Sequence, residues 1–223
     1  MTSISKEQRS LWLLRLYSAT GVVPVGAFFV LHLWINARAM QGRVAYEGLV
    51  DRLQTVRGLL LIEIVLIHAP LLFHAVYGIF VTIGRVPALP EPPYTRSWSR
   101  SMQRMTGIVT FAFVAYHLLE LRLPALLGRM RPTDFFPTLC DTLSSTTSLG
   151  IPVAATVYLL GLAAASYHLA NGLSRFCFRV GLVGSERASR IVSLGCSLLG
   201  AALFLLGAST VVYFATGSSF LEA

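Results

Sequence analysis

Five long apolar segments separated by short polar stretches dominate the pattern of this chain. Charged side chains cluster between these segments and do not recur at helical spacing within them. A helix of ~20 apolar residues matches the ~30 Å hydrocarbon layer of a membrane. The pattern therefore predicts an all-α integral membrane protein with five transmembrane helices, spans I to V, in a single transmembrane domain over residues 1–223. The predicted spans cover approximately residues 16–36, 57–82, 103–123, 151–176 and 188–216.

Prolines divide the chain at the same places. The run RVPALPEPPY, from Arg85 to Tyr94, is not expected to be helical throughout. Pro124 is expected to end span III, and Pro152 fits the first turn of span IV. Pro70 lies inside span II, where it leaves a backbone carbonyl without its helical partner and predicts a bend.

Composition excludes a soluble domain, because 55% of the 223 residues are hydrophobic and only 13% are charged. The net charge of +8 is compatible with nucleic-acid binding. Lipid head groups and membrane orientation explain it better, since the arginines lie near the ends of the predicted spans. The N-terminal stretch runs into a span that is too long for a signal peptide and has no small-residue cleavage site, so span I is expected to be retained.

Two further features indicate packing. The cysteines Cys140, Cys177 and Cys196 form no CxxC pair, so the sequence favours neither a zinc site nor an iron–sulfur site. Span V has no histidine and is rich in glycine, alanine and serine, which allow helix backbones to approach closely in lipid. Span V is therefore predicted to be a packing helix outside any cofactor site.

The basic residues favour one orientation across the membrane. With the N-terminus inside, eleven lysines and arginines lie on the inner side, in the N-terminal tail and the second and fourth connections. Seven lie on the outer side. The positive-inside rule then predicts a cytoplasmic N-terminus and an outer C-terminus.

All five histidines lie within the apolar spans. Ionisable side chains at membrane depth are energetically costly and tend to be functional. At a helical rise of ~1.5 Å per residue, His32 and His117 lie ~24 Å and ~20 Å from the inner helix ends. His74 and His168 lie at ~13 Å and ~12 Å. The depths predict an outer pair, His32 with His117, and an inner pair, His74 with His168.

Two pairs of imidazoles on four helices are typical of two bis-histidine b haems caged by those helices. Six-coordinate haem iron transfers electrons without binding oxygen. Zinc fits less well, because a closed zinc site needs four ligands at one depth. The alternative is a set of hydrogen-bonded structural histidines. The fifth histidine, His68, points ~120° away from His74 and lies ~9 Å further out, level with the outer pair, where it could replace one of those ligands. His74 is preferred as the ligand, and His68 is interpreted as a core or pocket-lining residue.

Four motifs resemble one family. SATG (Ser18 to Gly21) followed by His32, LLFHAVYG (Leu71 to Gly78), QRMTG with His117, and YHLANG (Tyr167 to Gly172) occur in order on separate spans. Together they resemble the cytochrome b membrane anchor of succinate:quinone oxidoreductases, in the subclass with one five-helix anchor and two haems. The resemblance covers roughly residues 11–183 and implies the same two histidine pairs as iron ligands.

The resemblance implies a function in respiratory electron transfer. The chain would anchor a cytoplasmic flavoprotein and iron–sulfur head in the bacterial cytoplasmic membrane and pass electrons between that head and a membrane quinone, with menaquinone expected. FAD and iron–sulfur clusters would belong to the partner subunits. The arginine-rich inner surface would be the docking face.

The resemblance also implies roles for polar residues. Ser18, Arg100 and Arg179 match positions that hold the inner haem propionates, although arginines at inner helix ends are equally explained by the positive-inside rule. Glu47 and Asp51 are candidate proton carriers for a quinone beside the outer haem, and the alternative for them is a solvated loop face. Ser166 replaces a glutamate that some relatives carry two residues before the last ligand, which favours succinate oxidation. Glu63 and Glu120 are left either to carry protons or to pair with an arginine.

Two other functions remain open. One is a di-haem anchor of a formate dehydrogenase or nitrate reductase, against which the SATG and QRMTG motifs argue. The other is a haem-free, histidine-lined proton channel.

Overall fold

The computed structural model describes residues 6–85 and 97–218. Side chains are described from residue 12 onward in the first range and from residue 98 onward in the second. Within them the chain is helical and no strand occurs. The α-helices are α1 (Lys6–Val22), α2 (Pro24–Ala37), α3 (Arg43–Gln54), α4 (Leu59–Glu63), α5 (Ala69–Thr82), α6 (Ser97–His117), α7 (Leu123–Leu126), α8 (Phe135–Ser144), α9 (Val153–Arg179) and α10 (Glu186–Thr216). Turns of 3₁₀ helix cover Arg38–Gln41 and Pro132–Asp134, and π turns cover Ile64–His68 and Leu118–Arg122.

Five helical stretches are long and apolar enough to cross a membrane, which confirms the predicted fold class. They cover Trp12–Gln41, Leu59–Thr82, Trp98–Leu126, Val153–Arg179 and Glu186–Thr216. Spans I to V refer below to these stretches. The prediction for the proline-rich run after Arg85 lies outside the described residues.

A π turn directly precedes the proline in each of spans II and III. The Ala69 amide donates to the Ile64 carbonyl, five residues back, just before Pro70. The Leu123 amide likewise donates to the Leu118 carbonyl just before Pro124. Proline lacks an amide proton and its ring crowds the preceding turn, and a widened turn relieves both problems. Pro124 therefore does not end span III, which continues to Leu126.

Span V packs along span IV through part of its small-residue surface. A Cβ atom on Gly200 would lie 2.7 Å from the Ala170 Cβ and 3.0 Å from the Ser166 carbonyl oxygen. A Cβ atom on Gly207 would lie 2.6 Å from the Leu162 Cδ2. Gly195 has no such neighbour within 4 Å. Only one side of α10 therefore depends on small residues for close packing.

We expect Gly200→Val to destabilise the bundle by about 1–3 kcal/mol, because the added methyl groups force α10 away from the α9 backbone. Gly195→Val is the matched control, since it adds the same branched side chain on the open side of the same helix. Thermal unfolding in detergent measures both. Equal losses of stability would show that helix propensity, and not contact with α9, governs the result.

The connections on the side predicted to be outer form a packed layer that the sequence pattern did not predict. Helices α3 and α8 bury Tyr46, Val50, Leu139 and Leu143 in one cluster with residues from the ends of spans III, IV and V. The same cluster includes Tyr158 of α9. This layer covers the outer end of the bundle next to His117.

Candidate haem-binding sites

The inner pair of imidazoles comes together across spans II and IV. The ring centroids of His74 in α5 and His168 in α9 are 6.2 Å apart, with the rings nearly perpendicular at 81°. Two imidazoles on opposite sides of one metal ion have centroids ~6 Å apart, since each metal–nitrogen bond is ~2 Å long and each ring centre lies ~1 Å behind its nitrogen. The separation therefore suits two axial ligands of one iron.

The outer pair has almost the same geometry. The ring centroids of His32 in α2 and His117 at the end of α6 are 5.7 Å apart, with an interplanar angle of 83°. The structure thus brings four histidines together in the two pairs that helical depth predicted.

Backbone carbonyls orient both inner rings. His74 Nδ1 lies 2.9 Å from the Tyr17 carbonyl oxygen, and His168 Nδ1 lies 3.1 Å from the Gln103 carbonyl oxygen. A carbonyl oxygen only accepts hydrogen bonds, so Nδ1 carries the proton in each ring. This tautomer leaves Nε2 as the basic nitrogen for a metal. At His168 the Gln103 side-chain nitrogen also lies 3.2 Å from Nδ1 and 3.4 Å from Nε2.

Two glycines make room for these rings, and they are the glycines of the SATG and QRMTG motifs. A Cβ atom on Gly21 of α1 would overlap the His74 ring. A Cβ atom on Gly107 of α6 would lie 2.9 Å from His168 Cε1. Each inner imidazole therefore lies directly on the backbone of a neighbouring helix, which explains why both motifs end in glycine.

The outer rings contact polar side chains. His117 Nδ1 lies 3.2 Å from the Tyr158 hydroxyl oxygen, and this hydroxyl donates to Glu120 at 2.6 Å. His32 Nε2 lies 3.3 Å from the Asn36 amide nitrogen, which also donates to the His32 carbonyl at 2.8 Å. Glu120 was expected either to carry protons or to pair with an arginine, and its hydrogen-bond donor here is Tyr158. Neither Tyr158 nor Asn36 was among the predicted site residues.

Two of the three predicted propionate ligands meet at the inner end of the bundle. Arg179 Nη1 donates to the buried Ser18 hydroxyl at 3.3 Å. Arg100 is exposed on α6. Buried Arg175 instead donates to the Ser99 hydroxyl at 3.2 Å.

A group of polar side chains that the sequence pattern did not predict lies next to His168. Asn171 donates to the Gln103 side-chain oxygen at 2.7 Å, and the Ser99 hydroxyl donates to Asn171 at 3.2 Å. Asn171 and Arg175 follow His168 by three and seven residues, so a search along the face of α9 that carries His168 would have found them.

The remaining acidic candidates have separate surroundings. Glu47 accepts from Arg43 Nε at 2.7 Å on α3, and Asp51 is exposed one turn later. The structure brings neither against a histidine pair. Glu63 pairs with Arg122 between the two π turns, which is one of the two roles left open for it.

His68 belongs to neither pair. Its Nδ1 atom lies 3.0 Å from the Glu63 carbonyl oxygen, five residues back within the π turn. This hydrogen bond gives the His68 ring a partner within its own helix.

The donor set fits haem better than an isolated metal ion. Among the described residues, no three His, Cys, Asp or Glu side chains gather as metal ligands. Cys140, Cys177 and Cys196 are free thiols. A porphyrin supplies four nitrogen ligands itself, so a pair of facing imidazoles completes six-coordinate iron. The facing rings, the fixed tautomers and the glycine contacts all agree with this group.

Comparison with known proteins identifies a relative along almost the whole chain. Over 206 residues the chain is 31% identical to the succinate dehydrogenase cytochrome b558 subunit of Bacillus subtilis (strain 168). The matched region covers 92% of this chain and 98% of that protein. No family model matches the chain. No solved structure matches it either.

Proposed function

Because the chain belongs to the family of succinate dehydrogenase cytochrome b subunits, we propose that it anchors such a complex in the membrane and conducts electrons through two b haems. The observation that supports this most directly is that four histidines on four spans form two facing pairs of imidazoles. Each bound haem would take up and release one electron at a time. The alternative of scattered structural histidines does not account for the two similar ring separations.

The protein would hold the inner haem through His74 and His168, and the outer haem through His32 and His117. Carbonyl oxygens of Tyr17 and Gln103 keep the inner imidazoles in the tautomer that binds iron. Apolar helices around the rings exclude water, so the ligands face little competition from solvent.

Cationic side chains at the inner end would neutralise the propionates of the inner haem. Ser18 and Arg179 already share a hydrogen bond there, and Arg175 and Ser99 share another. Charge-assisted hydrogen bonds of this kind are short and strong. We assign Ser18, Arg179 and Arg175 to this role, with exposed Arg100 at the margin.

The inner surface would bind the iron–sulfur subunit, with the flavoprotein attached beyond it. This places the N-terminus in the cytoplasm, as the basic residues predict. Arg100, Arg104, Arg187 and Arg190 are exposed on the helix ends of this side. A partner with acidic residues facing them would be attracted at long range.

Quinone chemistry would occur near the outer pair, and Glu47 and Asp51 on α3 remain the candidate proton carriers although neither contacts a histidine of that pair. Menaquinone is the expected substrate. Ser166 occupies the position at which some relatives carry a glutamate, so we assign the direction of succinate oxidation with quinone reduction.

Purification in mild detergent tests the function. We expect a reduced-minus-oxidised spectrum with b-type bands, two haems per chain, and co-purification of a flavoprotein and an iron–sulfur protein. A chain without b-type bands would eliminate the cytochrome. A molybdenum- or nickel-containing partner would instead indicate a formate or nitrate enzyme.

A further inference from the structure

The outer ligand His117 contacts a hydrogen-bonded chain that ends in a carboxylate. Its Nδ1 atom lies 3.2 Å from the Tyr158 oxygen, and the Tyr158 hydroxyl lies 2.6 Å from Glu120 Oε2. Tyr158 is 6% exposed. Its ring is held edge-on between Phe113 and Tyr116, with centroid distances of 5.3 Å and 6.1 Å. The hydroxyl is therefore fixed between the imidazole and the carboxylate.

The direction of each hydrogen bond follows from counting protons. A phenol has one proton to donate, and the short bond to Glu120 uses it. The Tyr158 oxygen can then only accept from His117, so His117 Nδ1 must carry a proton. The chain runs from the Nδ1–H group of His117 to the Tyr158 hydroxyl and on to Glu120. The Nε2 atom of His117 is then left unprotonated.

The described ligands differ in this respect. His74 and His168 donate to neutral backbone carbonyls. The Asn36 side chain, which carries no formal charge, lies 3.3 Å from His32 Nε2. Among the described side chains, only the hydrogen-bonded chain that begins at His117 ends on a carboxylate with a formal negative charge. A donor to such a chain becomes more electron-rich and a stronger ligand of ferric iron.

We propose that Tyr158 and Glu120 are positioning residues that strengthen His117 as an iron ligand and so lower the reduction potential of the outer haem. The inference rests on the proposed binding of that haem by His32 and His117. It gives Glu120 a function in the membrane that does not require it to move a proton. It also separates the two haems chemically, because the hydrogen bonds described for the inner imidazoles end on backbone carbonyls and not on a carboxylate.

Redox titration of the purified complex tests this. In Tyr158→Phe the imidazole loses its acceptor without any change in formal charge. We expect the reduction equilibrium of one haem to shift about tenfold toward the reduced form, which is about 59 mV for a one-electron couple. The other haem should keep its potential. Tyr213→Phe on α10 is the matched control, because it removes a hydroxyl from a tyrosine that packs on Phe214, and it should shift neither.

Glu120→Gln distinguishes an effect transmitted through the hydrogen bonds from a direct effect of the Glu120 charge on the haem. If the two residues act in series, Glu120→Gln raises the same potential, and adding it to Tyr158→Phe has much less effect than it has alone. A shift in Glu120→Gln with none in Tyr158→Phe would overturn the proposal, because Glu120 would then act only through its field. Unchanged potentials in both variants would also overturn it.

The EPR spectrum gives a second measurement. The g values of the outer ferric haem depend on the donor strength of its ligands and should change in Glu120→Gln, whereas a remote charge leaves them unchanged. If Tyr158→Phe fails to assemble, the g values of Glu120→Gln still test the proposal. A wild-type complex with two b haems but unshifted variants rejects only this inference. A wild-type protein without haem rejects the proposed function with it.

Discussion

His117→Ala is expected to remove the outer haem and retain the inner one. The variant deletes one of the two imidazoles proposed to hold that haem and opens a space between spans I and III. The His74–His168 pair lies on spans II and IV with its own hydrogen bonds. The haem content should fall from two to one per chain. Pyridine haemochrome analysis measures this, and redox titration should show one transition in place of two. The remaining transition should keep the potential of the inner haem.

His68→Ala is the control for this experiment. It removes an imidazole from an apolar span at the same predicted depth, but His68 Nδ1 is engaged with the Glu63 carbonyl. We expect both haems to remain. If His117→Ala retained both haems and His68→Ala lost one, His68 would be the outer ligand and the assignment of His117 would be wrong.

The five spans and the pairing of the histidines follow from simple properties of the sequence. Apolar length gives the spans, and helical rise gives the depth of His32, His74, His117 and His168. Orientation around each helix was not needed, because only two histidines occur at each level once His68 is set aside. Depth alone is informative in a membrane protein, because the bilayer fixes the position of each helix along one axis.

Interactions between elements were beyond the sequence pattern. Pro124 was predicted to end a helix, but the π turn at Leu118–Arg122 absorbs it, and π turns have no clear sequence signal. The layer formed by α3 and α8 was interpreted as connecting loops, because its apolar residues are interrupted by charges. Arg175 was overlooked in favour of Arg100, because both lie near inner helix ends and only packing distinguishes a buried side chain from an exposed one.

The glycines of the SATG and QRMTG motifs have a structural role that the resemblance alone did not reveal. SATG and QRMTG served only as markers of a family in the sequence. In the structure Gly21 and Gly107 lie against the His74 and His168 rings, one glycine for each inner ligand. The absence of a side chain at these two positions is therefore part of the inner site.

Gly21→Ala is expected to eliminate the inner haem or to displace its ligand. A Cβ atom at this position would overlap the His74 ring, and the ring cannot retreat without losing its hydrogen bond to the Tyr17 carbonyl. Alanine is otherwise favoured over glycine inside a helix by up to ~1 kcal/mol. A loss of haem would therefore reflect the clash and not a weaker α1. The measurement is the haem content together with the spectrum of the remaining haem.

A graded series makes this prediction specific. Gly107→Ala places its methyl group 2.9 Å from His168 Cε1, a milder overlap, so we expect a smaller loss of the same haem or a shifted potential with the haem retained. Gly195→Ala adds a methyl group to open space on α10 and should leave both haems unchanged. Equal haem contents in all three variants would contradict the inner site, because His74 and His168 would then tolerate displacement that iron ligation forbids. Loss of the outer haem alone would show that Gly21 and Gly107 do not belong to the inner pair.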